Sequence, residues 1–416
     1  MDLLELADKL FTGEAPIESH HPFASSGEIA DIQPGLVFVD AFANCAAVDT
    51  DDGLVVVDTS GVFHAKQVHA TVRRWSASPL HTAVFTHGHI DHVFGVDLYE
   101  EEARTHGWPM PRVIAHEAVP ARFERYRLTA GYNSVINQRQ FKAPGLRWPV
   151  EYRFPDETYR DDMKIDVGGE TFELHHARGE TDDGTWVWSP GRRVVFAGDL
   201  FIWASPNCGN PQKVQRYPRD WARAMRRIAD LGADVLLPGH GLPIVGAARV
   251  RQATTEAAEL LEYLLDQTLA LMNEGARLDD VVHTVRAPEH LLERPYLRPV
   301  YDEPEFVVRN IWRLYGGWYD GNPANLKPAP AGAIAEEIAS LAGGVGVLAD
   351  RARAVADEGD LRLAGHLAEL AALAAPDDAG VHKVRAEVFG RRAHEEASTM
   401  SKGVFSWAAH ESEERS

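Results

Sequence analysis

Thr86-His87-Gly88-His89-Ile90-Asp91-His92 follows the apolar run Ala83-Val84-Phe85 and sets three histidines and a carboxylate within six residues. Imidazole nitrogen and carboxylate oxygen suit zinc and its neighbours, and a turn leaving a strand can aim alternate side chains into one pocket. His87 and His89 then face one ion. Asp91 and His92 sit further round the turn, where they can serve a second ion and create the two-metal geometry that clamps a hydrolytic water. Such a site needs ligands from other strand ends as well.

Three downstream segments offer them. Phe172-Glu173-Leu174-His175-His176 reads as a strand running into Ala177-Arg178-Gly179-Glu180-Thr181-Asp182-Asp183, a turn with carboxylates at its tip, and Glu180 is the candidate ligand. Arg192 to Ala197 reads as a buried strand ending in Gly198-Asp199, where glycine lets the backbone approach and Asp199 can bridge both ions. Ala233 to Leu237 leads into Pro238-Gly239-His240-Gly241, so a further strand delivers His240 to the second metal. His175 and His176 are read as satisfied histidines, and His116, after the strand Arg112 to Ala115, as a less favoured neighbour of the pocket.

The string H-x-H-x-D-H, then a ligand after a glycine, then G-D, then G-H-G, resembles the metallo-β-lactamase superfamily of metal-dependent hydrolases. The resemblance covers residues 33–250 and implies an αββα sandwich of the α/β (α+β) class with the metals at one edge of its sheets. It implies His87, His89 and Glu180 on one metal, Asp91, His92 and His240 on the other, and Asp199 between them, with Asp91 and Asp199 taking part in catalysis. Glutamate at position 180, where most relatives have histidine, is the habit of the alkylsulfatase branch. The extra carboxylate hardens the site and admits manganese or iron beside zinc, so two divalent ions, zinc first, are the expected cofactors.

A second resemblance lies beyond residue 280. Trp312 to Leu326, reading WRLYGGWYDGNPANL, together with Gly359-Asp360-Leu361-Arg362-Leu363-Ala364 and Ser398 to Gly403, is similar to the alkylsulfatase dimerisation region. It implies an all-α domain at 280–412 that pairs with a second copy of the chain. The chain then divides into an N-terminal extension (1–32), a catalytic domain (33–250), a linking helix (251–279) and that helical domain. Alkylsulfatases carry G-T-E-A-P-A-E where this chain has Gly179-Glu180-Thr181-Asp182-Asp183, and glutamate where Asp199 stands. Their sulfate-holding segment has no counterpart in Leu200 to Tyr217.

Length and composition bound the rest. At 416 residues the chain suits two domains, and two cysteines, Cys45 and Cys208, cannot build a disulfide framework. Met1 to Lys9 shows neither a basic n-region nor a long apolar run, so a cytoplasmic protein without a membrane span is expected. A formal net charge of −20 argues against nucleic acid as a partner. It also repels an anionic substrate beyond a screening length of about 8 Å, so basic side chains have to gather at the mouth. Arg178, Lys213, Arg216 and Arg219 are the candidates, because arginine grips tetrahedral oxyanions through a planar fork. Trp203 and Phe201, just after Asp199, are candidate walls for an apolar tail, whereas Trp186 and Trp188 alternate as core residues.

The expected activity is hydrolysis of a small ester, foremost an alkyl sulfate monoester. A carboxylic ester, lactone or thioester is the alternative. An iron-dependent oxidoreductase fits less well, since flavodi-iron types put glutamate where His89 stands and add a flavin domain.

Overall fold

The computed structural model describes residues 2–416. Its backbone divides into two units, the first built from residues 1–130, 149–276 and 280–317, the second from residues 131–148, 277–279 and 318–416.

The first unit is the expected αββα sandwich. Leu36–Val39 and Gly53–Val57 are buried at every position, so these apolar runs form strands covered on both faces. They belong to a seven-stranded sheet that runs in sequence order from Ile29–Gln33 to Glu157–Tyr159. Its first four strands pair antiparallel, and Gly53–Val57, Leu80–Val84, Arg112–His116 and Glu157–Tyr159 then follow one another in parallel. The second sheet has six strands, with Val194–Ile202 at its centre between Thr185–Ser189 and, in parallel, Val235–His240. Phe38 and Val57 of one sheet and Phe196 and Leu237 of the other line a common interior space. Burying each such side chain contributes roughly 1.5–3 kcal/mol.

Trp221, Met225 and Ile228 recur at helical spacing and are buried on one face of the helix Pro218–Asp230. Beside it lies the helix Ala247–Asn273, tied across by an Arg226–Glu262 ion pair of 2.6 Å. Residues 251–279 are therefore largely part of the sandwich's outer layer and not a linker. The N-terminal segment is likewise built in: Phe11 of the helix Leu3–Thr12 stacks on Tyr296 at 5.1 Å, and Ile29–Gln33 is an edge strand. Residues 280–317 also belong to this unit, so its boundary lies well beyond the expected 280. Asn310, on the helix Pro304–Gly316, explains that: its amide accepts from Arg216 N (3.2 Å) and donates to Arg216 O (3.1 Å), pinning the segment after Asp199.

The second unit is helical, as expected. Asp360, Asp378 and Ser398 cap Leu361–Ala374, Ala379–Glu395 and Thr399–Glu413 by accepting from backbone N–H groups in the first turn. Ala352, Ala364, Ala371, Val384 and Val388 fill the space between its helices. Gly403 permits a close approach that spacing alone does not reveal, because a Cβ there would lie 2.0 Å from Gln140 O. Residues 131–148 are thus part of the helical unit although residues 149–276 and 280–317 of the sandwich unit follow them in the chain. Among the described residues no single helix is long and apolar enough to cross a membrane.

Candidate metal centre

His87, His89, Glu180 and Asp199 bring ligand atoms together in one group, and Asp91, His92 and His240 in a second. All seven candidate ligands therefore converge from both sheets, six from strand ends and the turns that follow them and Asp199 from within Val194–Ile202, a strand that continues past the expected end at Ala197 with its pairing irregular at Gly198. Asp199 faces both groups: Oδ2 lies 3.6 Å from His87 Nε2 and 3.4 Å from His240 Nε2, and Oδ1 lies 3.4 Å from His92 Nε2. Glu180 Oε2 is 3.6 Å from His89 Nδ1 and 3.9 Å from His87 Nε2, while Asp91 Oδ2 is 3.5 Å from His240 Nε2.

These separations fit ions. Ligands about 2.0–2.1 Å from a tetrahedral ion stand roughly 3.4 Å from one another, close to what most of these atoms show. His92 Nε2, Glu180 Oε2 and Asp199 Oδ1 are moreover buried without a hydrogen-bond partner, an arrangement that costs free energy unless something positive binds there.

The imidazoles are oriented from behind. Asp58 Oδ1 accepts from Thr86 N (2.8 Å), and Oδ2 accepts from Thr86 Oγ1 (2.7 Å) and His92 Nδ1 (2.7 Å). His92 therefore carries its proton on Nδ1 and turns the Nε2 lone pair inward. Thr86 spends its own proton on Asp58, so its oxygen accepts from His87 Nδ1 at 3.0 Å and leaves His87 Nε2 as a ligand. His240 Nδ1 donates to Phe42 O, with the same result. Asp58 and Ser60 hold left-handed backbone at φ 56° and 65°, strain of the kind that over-determined sites retain. Gly239 matters for a different reason: a Cβ there would stand 2.1 Å from Asp199 Oδ1.

Glu180 is held by its other oxygen. Oε1 accepts from Arg216 Nη1 at 2.6 Å and from Asn207 Nδ2, which leaves Oε2 for the metal. Burial pushes its carboxyl pKa up against the pull of Arg216, so protons and metal compete for it. Asp199 goes the other way: despite burial, His240, His92 and His87 hold it well below the usual carboxylate range.

Two candidate substrate residues belong elsewhere. Trp203 is 1% exposed, donates from Nε1 to Leu242 O at 2.6 Å and packs edge-on to Phe11 and Tyr296, so it is core and not a wall of the mouth. Arg178 pairs with Asp220 at 2.5 Å and lies over the Tyr217 ring. Its charge is spent on the surface. Arg216 is at the site, paired with Glu180, and burial and the nearby Arg216 charge lower the Lys213 amine to about 8 against the pull of Asp91 and Glu180. His116 stacks on His176 at 3.7 Å and faces Arg160 O, and His175 meets Asp162; none of the three is a ligand. Sequence reasoning passed over Asn207 and Arg122, whose partners lie 27 and 61 residues away.

Residues 39–240 match the family model described as the metallo-beta-lactamase superfamily. That stretch of the chain is similar to that superfamily. Residues 277–415 match the model described as alkyl sulfatase dimerisation. Among curated proteins, a linear primary-alkylsulfatase of a Pseudomonas species is 26% identical over 83% of this chain and 69% of its own length. The alkyl/aryl-sulfatase BDS1 of Saccharomyces cerevisiae is 23% identical over 86% of this chain and 59% of its own. An (R)-specific secondary-alkylsulfatase from Pseudomonas is 24% identical over 89% and 60%. The chain thus spans 59% to 69% of the length of those relatives. The solved structure of the inverting sec-alkylsulfatase Pisa1 from Pseudomonas shares its fold, with a TM-score of 0.84 at 22% identity over 92% of this chain and 65% of that one.

Proposed function

We propose that this chain is a dinuclear metal-dependent hydrolase that cleaves sulfate monoesters of alkyl chains and works as a homodimer through its C-terminal helices. The observation that carries the hydrolase reading is the convergence of seven buried or part-buried ligands around Asp199. Glu180 as a ligand, the likeness to alkylsulfatases and the match to their dimerisation region support the substrate class. Zinc is the proposed ion, with manganese or iron admitted by three carboxylates.

A bound pair of divalent ions supplies water acidified towards neutrality and charge for the developing oxyanion. The chain does the rest. Asp91 has the most exposed ligand carboxylate, at 25% against 9% for Asp199 and 5% for Glu180, so the oxygen it does not give to an ion is the one to orient incoming water and take its proton. The Arg216 Nε–H, buried without a partner, is a donor for an ester's anionic oxygens, and Lys213 is proposed to add its charge. Overall, one water is consumed per sulfate monoester, and the products are the alcohol and hydrogen sulfate.

One observation favours the second reading, a carboxylic ester, lactone or thioester: Arg178 and Arg216 are both engaged by carboxylates, which leaves little uncompensated positive charge. Sulfate release from dodecyl sulfate by zinc-loaded protein separates the two. Release supports the alkylsulfatase reading; a two-metal protein that releases none, but hydrolyses carboxylic esters or thioesters, overturns it in favour of the second.

A further inference from the structure

Arg122 sits on the helix Val119–Leu128, outside every ligand-bearing strand end, yet it is 3% exposed and lies directly behind the first half of the metal centre. Its Nε donates to Asp183 Oδ2 at 2.6 Å, and its Nη2 donates to Asp182 Oδ1. The same Asp183 oxygen accepts from Gly88 N at 3.1 Å, in the middle of His87-Gly88-His89. Asp183 itself is fully buried, three residues after Glu180. One carboxylate oxygen therefore binds the histidine loop of one sheet to the Glu180 loop of the other, and the arginine fixes that carboxylate.

The fit is close. A Cβ on Gly88 would meet Arg122 Cδ at 2.8 Å and Asp183 Oδ2 at 3.1 Å, so only glycine lets the clamp reach the backbone. The Glu180 loop is shaped to present both carboxylates inward: Gly179 N donates to Thr181 O, and Ala177 N to Gly184 O, both at 2.9 Å. The second half of the centre is braced by other groups, Asp58 behind His92 and the Phe42 carbonyl behind His240.

We infer that Arg122, acting through Asp183, is a positioning residue that sets the geometry of the His87, His89 and Glu180 half of the centre and leaves the Asp91, His92 and His240 half largely alone. The inference rests on the metal-centre reading above. Groups behind metal ligands typically govern affinity by 10–100-fold. A guanidinium can hold two carboxylates in one plane, which an ammonium does less well.

The test is cobalt(II) titration of the full chain, wild type beside Arg122→Met and Arg122→Lys. The hyperfine-shifted imidazole N–H signals report which histidines are bound. In the wild type two ions should bind, with signals from both halves; a wild type that binds no cobalt overturns the metal reading itself. In Arg122→Met the half containing His87 should lose affinity 10–100-fold while the His92 and His240 signals persist, and Arg122→Lys should recover part of the loss. Wild-type affinity at both halves in Arg122→Met, or equal loss at both halves in Arg122→Lys, overturns the inference while leaving the metal reading standing.

Discussion

Asp58 contributes no ligand atom, yet its two oxygens fix Thr86, and through it His87, together with His92. Asp58→Ala should lower metal affinity by roughly 10–100-fold, read by competition with a chromogenic chelator. Unchanged affinity would show that backbone packing alone orients the rings. Asp183 makes a second prediction. Against the burial that would raise it, Arg122 holds its pKa down to about 2 from the ordinary 3.8. A depressed carboxylate stabilises the fold above its unfolded pKa, and that stability is lost as pH falls through the folded value. The difference corresponds to about 2 kcal/mol. Urea unfolding of metal-free protein between pH 5 and 2.5 should therefore show a shallower loss in Asp183→Asn than in wild type, and parallel curves would contradict it. The candidate ligands were legible in the sequence as a group, because most follow an apolar strand at a turn, although the strand carrying Asp199 runs on to Ile202. Arg122 and Asn207 were not, since nothing local marks an arginine in a helix as the partner of a distant carboxylate. Trp203 misled for the converse reason: proximity in the chain to Asp199 placed it at the mouth, while the following turn carries it into the core beside Leu242.

The strands and their roles followed from apolar runs buried at every position, and the helix Pro218–Asp230 from its three-to-four spacing. A helix at 251–279 was also legible, but not its place: it is the helix Ala247–Asn273. A leucine-rich face tells that a partner exists and not which one, and here the partner is the neighbouring helix and its Arg226. The same holds for Pro304–Gly316, whose Asn310 grips the segment carrying Arg216 through two backbone bonds. In the helical unit, Asp360 and Asp378 serve as N-caps. Asp378→Ala should cost about 1 kcal/mol of that unit's stability, visible as a lower melting temperature by circular dichroism. A melting curve identical to wild type would mean that the Asp378 bond to Val381 N is replaced by water at no cost.

At the scale of the molecule, two family models lie side by side along one chain, that of the metallo-beta-lactamase superfamily at 39–240 and that of alkyl sulfatase dimerisation at 277–415. The structural units divide the chain elsewhere, with 280–317 in the sandwich unit and 131–148 in the helical one, because long-range contacts and not chain order define a folded unit. The proposed homodimer predicts a sedimenting species of two 46.0 kDa chains at micromolar concentration, and a monomer throughout would remove that part of the proposal. The most direct test of the dinuclear centre is elemental mass spectrometry on zinc-saturated, gel-filtered protein, wild type beside His240→Ala. Two ions per chain in the wild type and one in His240→Ala is the expected result. A wild type that retains one ion or none would contradict a centre shared across Asp199.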